Sequence, residues 1–135
     1  MTSIAVIENK ISAIRKYLSI LDRYKGFSRV EIENNIDIKG AVERYLYLVT
    51  QLTIDLAESI IAQKKLRKPT TMAESFHILH EAGVISDELK QKLVQMTGFR
   101  NVIAHAYDDL DYDIVFDILH NGKKDISAFL EVLEY

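Results

Sequence analysis

No cysteine occurs in the 135 residues, which excludes disulfides, thiolate metal sites and cysteine nucleophiles. That absence is compatible with a reducing cytoplasm, the expected compartment. Proline occurs once, at Pro69, and glycine five times. So few chain breakers leave room for long helices and little for the many turns of an all-β fold. No uninterrupted apolar run approaches the roughly 20 residues needed to span a bilayer. The leading stretch MTSIAVIENKISAIRKYL lacks a basic start and is interrupted by Glu8, Asn9 and Lys10, so it is not expected to be a signal peptide. An excess of positive charge is missing too. The net charge of −3 argues against a general basic coat for nucleic acid, although it leaves room for one local positive groove.

What is present suits a soluble globular chain: 48% apolar and 27% charged residues, enough for one core and too few for two. Residues 1–135 are therefore read as a single domain. Ile4, Ile7, Ile11, Ile14, Leu18 and Leu21 recur in steps of three and four, the stripe of an amphipathic helix of about six turns, which Gly26 is expected to stop. Phe27 to Asn35 reads as a connector with one short helical turn. Val42, Tyr45, Val49, Leu52, Leu56 and Ile60 predict a second long helix, widened by Leu46, Leu48 and Ile61. That helix is expected to carry Lys64, Lys65, Arg67 and Lys68 in its last turn, where cations suit the dipole, and to end at Pro69.

Thr71 with Glu74 fits a capping box for a short third helix that Gly83 closes, and Ser86 is a good N-cap for the next, with Leu89, Leu93, Met96 and Phe99 on one side. A further helix runs through Ile114, Val115, Ile118 and Leu119. Asn121-Gly122 is read as its C-cap, and Ile126, Phe129, Leu130 and Leu133 finish the chain. The fold class is thus all-α, an antiparallel bundle of four to five main helices.

Several polar clusters have ordinary explanations. Glu74 and His77 spell half of a di-iron motif that has no second copy. His77 and His80, three apart, lack an obvious third metal ligand. The acidic run DDLDYD, residues 108–113, lacks the glycine and terminal glutamate of a calcium loop and suits the positive start of a helix. The basic cluster Lys64, Lys65, Arg67 and Lys68 is either a solvated helix end or a lip that attracts phosphate to a site elsewhere. No metal or cofactor is expected.

The stretch FRNVIAHAY, residues 99–107, is different. Phe99, Val102, Ile103 and Ala106 look like helix core, yet Arg100, Asn101, His105 and Tyr107 crowd among them. On a helix that persists, Asn101 and His105 share a face, and Arg100 and Tyr107, seven apart, nearly superimpose. Histidine exchanges protons near neutrality, and arginine offers a permanent planar charge to phosphate oxygens. Together they suit RNA cleavage without metal: His105 moves a proton, and Arg100 stabilises charge developing on phosphorus. One histidine does not readily serve as acid and base in one turnover, and a homodimer facing two copies across its axis would supply the second. From spacing alone, a helix end capped by polar side chains explains the same residues.

Arg100-Asn-Val-Ile-Ala-His105-Ala-Tyr107 resembles the Arg-x4-His-x-Tyr signature of HEPN-domain ribonucleases, in particular the HepT-like toxins paired with a minimal nucleotidyltransferase antitoxin. The long first helix, a second beginning near AVERYLYLV and the short third helix resemble that family's plan over essentially the whole chain. The resemblance implies a HEPN-like dimeric bundle with both motifs lining a shared cleft. Arg100 and His105 would be the catalytic pair of a metal-independent RNA endonuclease, and Asn101 would help orient the site. Tyr107 would accept AMP from the cognate nucleotidyltransferase. The alternatives are a non-catalytic nucleotide-binding or substrate-recognition subunit of that nucleotidyltransferase, and a plain helical oligomerisation domain.

Overall fold

Helix α1 (Ile4–Asp22) begins where Ser3 caps the Val6 amide, and it buries Ile7, Ile11, Ile14, Leu18 and Leu21. The stripe read from the sequence is therefore the inner face, with Ile4 alone left half-exposed. Each buried isoleucine or leucine removes a full side chain from water, worth about 1.5–3 kcal/mol. The computed structural model describes residues 3–105, 110–133 and 135, with only the backbone of His105. Among them every regular element is helical.

Gly26 does not stop α1. The helix ends at Asp22 and unwinds through a turn at 23–26, held by bonds such as Tyr24 N–H to Leu21 O at 3.0 Å. The connector then forms a true helix, α2 (Arg29–Asn34), because Ser28 and Glu31 make a reciprocal capping box. The two bonds from Ser28, backbone amide first, hold the Glu31 carboxyl below its ordinary range.

Helix α3 (Ile36–Gln63) is the central rod. It buries Val42, Leu46, Val49, Ile54, Leu56, Ile60 and Ile61, which spread over several sides. Thr50 and Thr53 are fully buried on it, and their hydroxyls donate back to Leu46 O at 2.9 Å and Val49 O at 2.7 Å, so neither is orphaned. The Tyr17 and Tyr45 rings meet at 5.8 Å, near the end of α1 and the start of α3, as the antiparallel pairing requires.

The expectation that α3 runs to Pro69 is corrected. Lys64 is its C-cap and Lys65 adopts φ 55°, a left-handed residue that turns the chain out. Lys65 N–H donates to Ala62 O and Leu66 N–H to Ile61 O, the paired bonds of a Schellman ending. None of the four cations lies in the last turn of α3.

Helix α4 (Met72–Glu81) starts at Thr71, which accepts from the Glu74 amide at 3.1 Å. The return half of the box is displaced: the Glu74 carboxylate accepts from the Thr70 amide and hydroxyl instead. The helix closes through Gly83 at φ 77°, a position that favours glycine because no Cβ is there to clash. Phe76 of α4 meets Phe129 of the last helix edge to face at 5.9 Å.

Helix α5 (Asp87–His105) opens at Ser86, which accepts from the Leu89 amide at 3.1 Å. After it come α6 (Tyr112–Asp117), a π turn (Ile118–Gly122) and α7 (Lys123–Val132). Asn121-Gly122 is thus not a helix end, and the chain continues through it as helix with one widened turn. Gly122 has an ordinary helical φ of −61°. Its role is space, because a Cβ there would lie 2.9 Å from Ile118 Cγ2. His120 ties this turn to the turn after α1, one ring nitrogen facing Phe116 O at 3.0 Å and the other Lys25 O at 3.1 Å.

The buried side chains of these helices gather in one core cluster, from Ile7 on α1 to Leu130 on α7. The fold is all-α, with α1, α3, α4, α5 and the α6–α7 rod as its main members.

Candidate active site on helix α5

Phe99 and Ile103 are buried, and they press α5 against the core. That anchoring fixes which way the residues between them point. Arg100 is half-buried and its Nε donates to Gln51 Oε1 on α3 at 2.6 Å. Its Nη1 donates to Asn101 Oδ1 at 3.2 Å. Gln51 has one orientation that satisfies both neighbours: its amide nitrogen donates to Asp55 Oδ1 at 2.8 Å, which turns its oxygen toward Arg100. The chain Asp55–Gln51–Arg100 therefore aims the guanidinium without neutralising it.

A guanidinium carries five N–H donors. Two are occupied here by neutral carboxamides, and among the described residues no carboxylate pairs with Arg100. The remaining donors can still meet a phosphate. The Arg100 carbon also lies 5.5 Å from the centre of the Tyr47 ring on α3, a cation–π distance that further holds it in place.

Helix α5 persists through His105, so its backbone puts Asn101 and His105 on one face. The side chain of His105 and all of Tyr107 lie outside the described residues, and the expected juxtaposition of Arg100 with Tyr107 falls there too. Just beyond, Asp111 caps α6 by accepting from the Asp113 amide, which accounts for part of the acidic run. Tyr112 is buried and donates to the Glu43 carboxylate, and Arg29 of α2 pairs with Asp113. Burial first, then the bond to Glu43, pushes the Tyr112 phenol well above its ordinary value, so it stays protonated and anchors α6 to α3.

The lip of cations is not brought to this site. Thirteen residues of rod from Gln51 to Lys64 span roughly 20 Å at 1.5 Å per residue. Arg67 is moreover engaged, with Nη1 on Glu74 and Nη2 on Glu81, each at 2.9 Å. The bond from Arg67 holds the Glu81 carboxyl below its ordinary range, while Glu74 is lowered first by Thr70 and then by Arg67. Two of the polar groups with ordinary explanations in the sequence are also engaged. Glu74 serves Thr70 and Arg67, and His80 Nδ1 faces Ile85 O at 3.0 Å.

Val102 also departs from expectation. It is 44% exposed and lines a groove of about 590 Å³ between α5 and the α6–α7 rod, together with Met96, Phe99, Ile114 and Ile118. The charge of this groove does not suit an anion. Its polar edge holds Asp113, Asp117 and Asp125 against Lys92 alone.

Sequence reasoning missed the residues on α3. Arg44, Tyr47, Gln51 and Asp55 are spaced three, four and four apart, a polar stripe along a helix that is otherwise apolar on most sides. That spacing was the available signal.

A family model for HepT-like ribonucleases matches residues 9–133. The chain belongs to the HepT-like ribonuclease family. This HepT-like chain is 31% identical over 118 residues to the tRNA nuclease HepT of Aphanizomenon flos-aquae (strain 2012/KM1/D3), covering 86% of itself and 80% of that protein. It is 26% identical over 129 residues to the mRNA nuclease HepT of Shewanella oneidensis, with 96% of each chain covered. Among solved structures it is similar to the tri-AMPylated Shewanella oneidensis HEPN toxin in complex with MNT antitoxin. That match has a TM-score of 0.84 and 26% identity and covers 93% of this chain and 94% of the other.

Proposed function

We propose that this HepT-like chain is a metal-independent RNA endonuclease, the toxin of a two-gene system, in which Arg100 and His105 act on the scissile phosphate. The observation that carries this reading is the state of Arg100, which is aimed by Gln51 and Asn101 and paired with no carboxylate among the described residues. His105 follows five residues later on the same helix. The relatives named as tRNA and mRNA nucleases support the reaction class.

In the reaction the 2′-hydroxyl oxygen attacks phosphorus while an imidazole takes its proton. The bond to the 5′-oxygen breaks, and that oxygen receives a proton from a second imidazole. The products are a 2′,3′-cyclic phosphate and a 5′-hydroxyl end. Arg100 stabilises the extra negative charge on the phosphoryl oxygens, which is where a fixed cation accelerates most. A homodimer presenting two copies of His105 to one cleft supplies acid and base together.

Regulation follows from charge. The Tyr107 phenol oxygen attacks the α-phosphate of ATP on the cognate minimal nucleotidyltransferase and displaces pyrophosphate. Each AMP adds bulk and negative charge beside a cleft that must admit an anionic backbone. The similarity to an AMPylated toxin held by its antitoxin supports this assignment. The cytoplasm, where RNA and ATP coexist, is the proposed site of action. No described helix is long and apolar enough to cross a membrane.

The test is incubation of purified protein with total RNA in excess EDTA. Wild type should cut and leave cyclic phosphate ends, and His105→Ala should not. Intact RNA with wild type, or equal cutting by His105→Ala, sinks the reading. With the partner enzyme and ATP, intact mass should rise in AMP units, and Tyr107→Phe should abolish the rise.

A further inference from the structure

Beside Arg100 lies a second cation that the signature motif does not contain. Arg44 is exposed on α3, and its guanidinium carbon sits 5.9 Å from the centre of the same Tyr47 ring that Arg100 approaches at 5.5 Å. Among the described residues Arg44 makes no ion pair. One aromatic ring therefore has two guanidiniums beside it, at 5.9 and 5.5 Å from its centre, and among the described residues neither is paired with a carboxylate.

Such an arrangement favours an anion that approaches both cations. Two like charges around one ring repel, and the ring quadrupole returns only about 0.5–2 kcal/mol per cation. A polyanionic strand supplies the missing counter-charge. Next to the pair is a cleft of about 370 Å³, lined by Glu43, Arg44, Tyr47, Ile103 and Ala104. That volume is within the range of small-molecule sites and is large enough for a nucleoside. Its Ile103 and Ala104 side is apolar, suiting the face of a base, while its polar edge comes from Glu43 and Arg44. Glu43 is steadied by the hydroxyl of Tyr112, so the cleft wall is fixed on both α3 and α6.

We propose that this cleft is an RNA subsite flanking the scissile phosphate: Arg44 binds the neighbouring phosphate of the strand, Tyr47 holds Arg44 and Arg100 in register, and the cavity takes the adjoining nucleoside. The inference deepens the ribonuclease reading and rests on it for the position of the scissile bond. The binding it requires can be measured without cleavage. It also answers where the positive groove of an acidic chain lies, because the pair is assembled from two helices and is invisible as a run of basic residues.

The experiment measures binding of a short fluorescein-labelled single-stranded RNA to the His105→Ala protein, by anisotropy over a range of salt concentrations. Adding Arg44→Ala should weaken binding about tenfold and flatten the slope of log affinity against log salt by about 0.7 for each phosphate that is no longer neutralised. Arg44→Lys should recover most of the slope but only part of the affinity, since a point charge lacks the planar fork. Tyr47→Phe should bind as before, because the ring and not the hydroxyl touches the guanidiniums, whereas Tyr47→Leu should weaken binding. Lys124→Ala on α7 removes a charge elsewhere and should leave both quantities unchanged. An unchanged slope in Arg44→Ala, or an equal weakening in Lys124→Ala, would overturn the subsite. Cleavage of RNA by wild type in EDTA is scored separately. Cutting with Arg44-independent binding defeats the subsite alone, and Arg44-dependent binding without cutting defeats the nuclease alone.

Discussion

Arg67 and Arg100 are the same residue type in opposite circumstances. Arg67 stands between Glu74 and Glu81, each 2.9 Å away, and its charge is committed to holding the link between α3 and α4 to α4 itself. Arg100 is held as firmly, but by Gln51, Asn101 and the Tyr47 ring, which orient a guanidinium without cancelling it. A carboxylate partner makes an arginine structural, and a carboxamide partner keeps it available. The lesson is that clustering of basic residues along the chain says little about where an anion binds. The tight run from Lys64 to Lys68 has its one arginine neutralised. Among the described residues, neither member of the sparse pair Arg44 and Arg100 meets a carboxylate.

The comparison breaks most visibly in activity. Arg100→Ala should lower the initial rate of RNA cleavage in EDTA about 10²–10³-fold, the usual effect of removing one donor to a developing oxyanion. Arg67→Ala should leave the rate within about twofold. Similar decreases in the two variants would mean that the distinction between neutralised and available charge is mistaken. Next in size is the aiming device. Gln51→Ala should cut the turnover rate about tenfold while RNA affinity barely moves, because the guanidinium is still charged but no longer directed. A drop in affinity with turnover intact would instead make Gln51 part of the binding surface.

Smaller still is the acid response of the Arg67 link. Glu81 has its folded value lowered from 4.5, chiefly by the bond from Arg67. Its contribution to stability is therefore present above that value and disappears as pH falls through the lowered one. The melting temperature of Arg67→Ala should lie below wild type near neutrality, and the gap should close as the solution is acidified below the ordinary glutamate value of 4.5. A gap that widens on acidification would contradict the pairing. The smallest effect is local. Lys65→Gly should raise stability by about 1 kcal/mol in urea melts, since Lys65 holds a left-handed φ that a β-carbon disfavours. Cleavage should not change, because Lys65 lies roughly 20 Å along the α3 rod from Gln51.

Much of the bundle was readable because its cause is periodic. Ile7, Ile11, Ile14, Leu18 and Leu21 recur at helical spacing, and they are the buried face of α1. Ser86 and Thr71 were legible as caps because capping is a relation between residues three apart. The helix ends were less so. Lys65 ends α3 through a backbone conformation that lysine does not advertise, and Gly122 carries the chain through a π turn because Ile118 crowds it. Val102 has the spacing of a core residue and is half-exposed, since α6 does not close over it.

The sequence by itself determined the helices, their inner faces and the placing of Arg100, Asn101 and His105 on one of them, because each depends on neighbours within one or two turns. Only the tertiary structure decided which cations keep their charge available. Gln51 reaches Arg100 across 49 positions and Glu81 reaches Arg67 across 14, so the outcome turns on which helices pack together. Hydrogen bonds and ion pairs act over a few ångströms of space, and no count along the chain measures that distance.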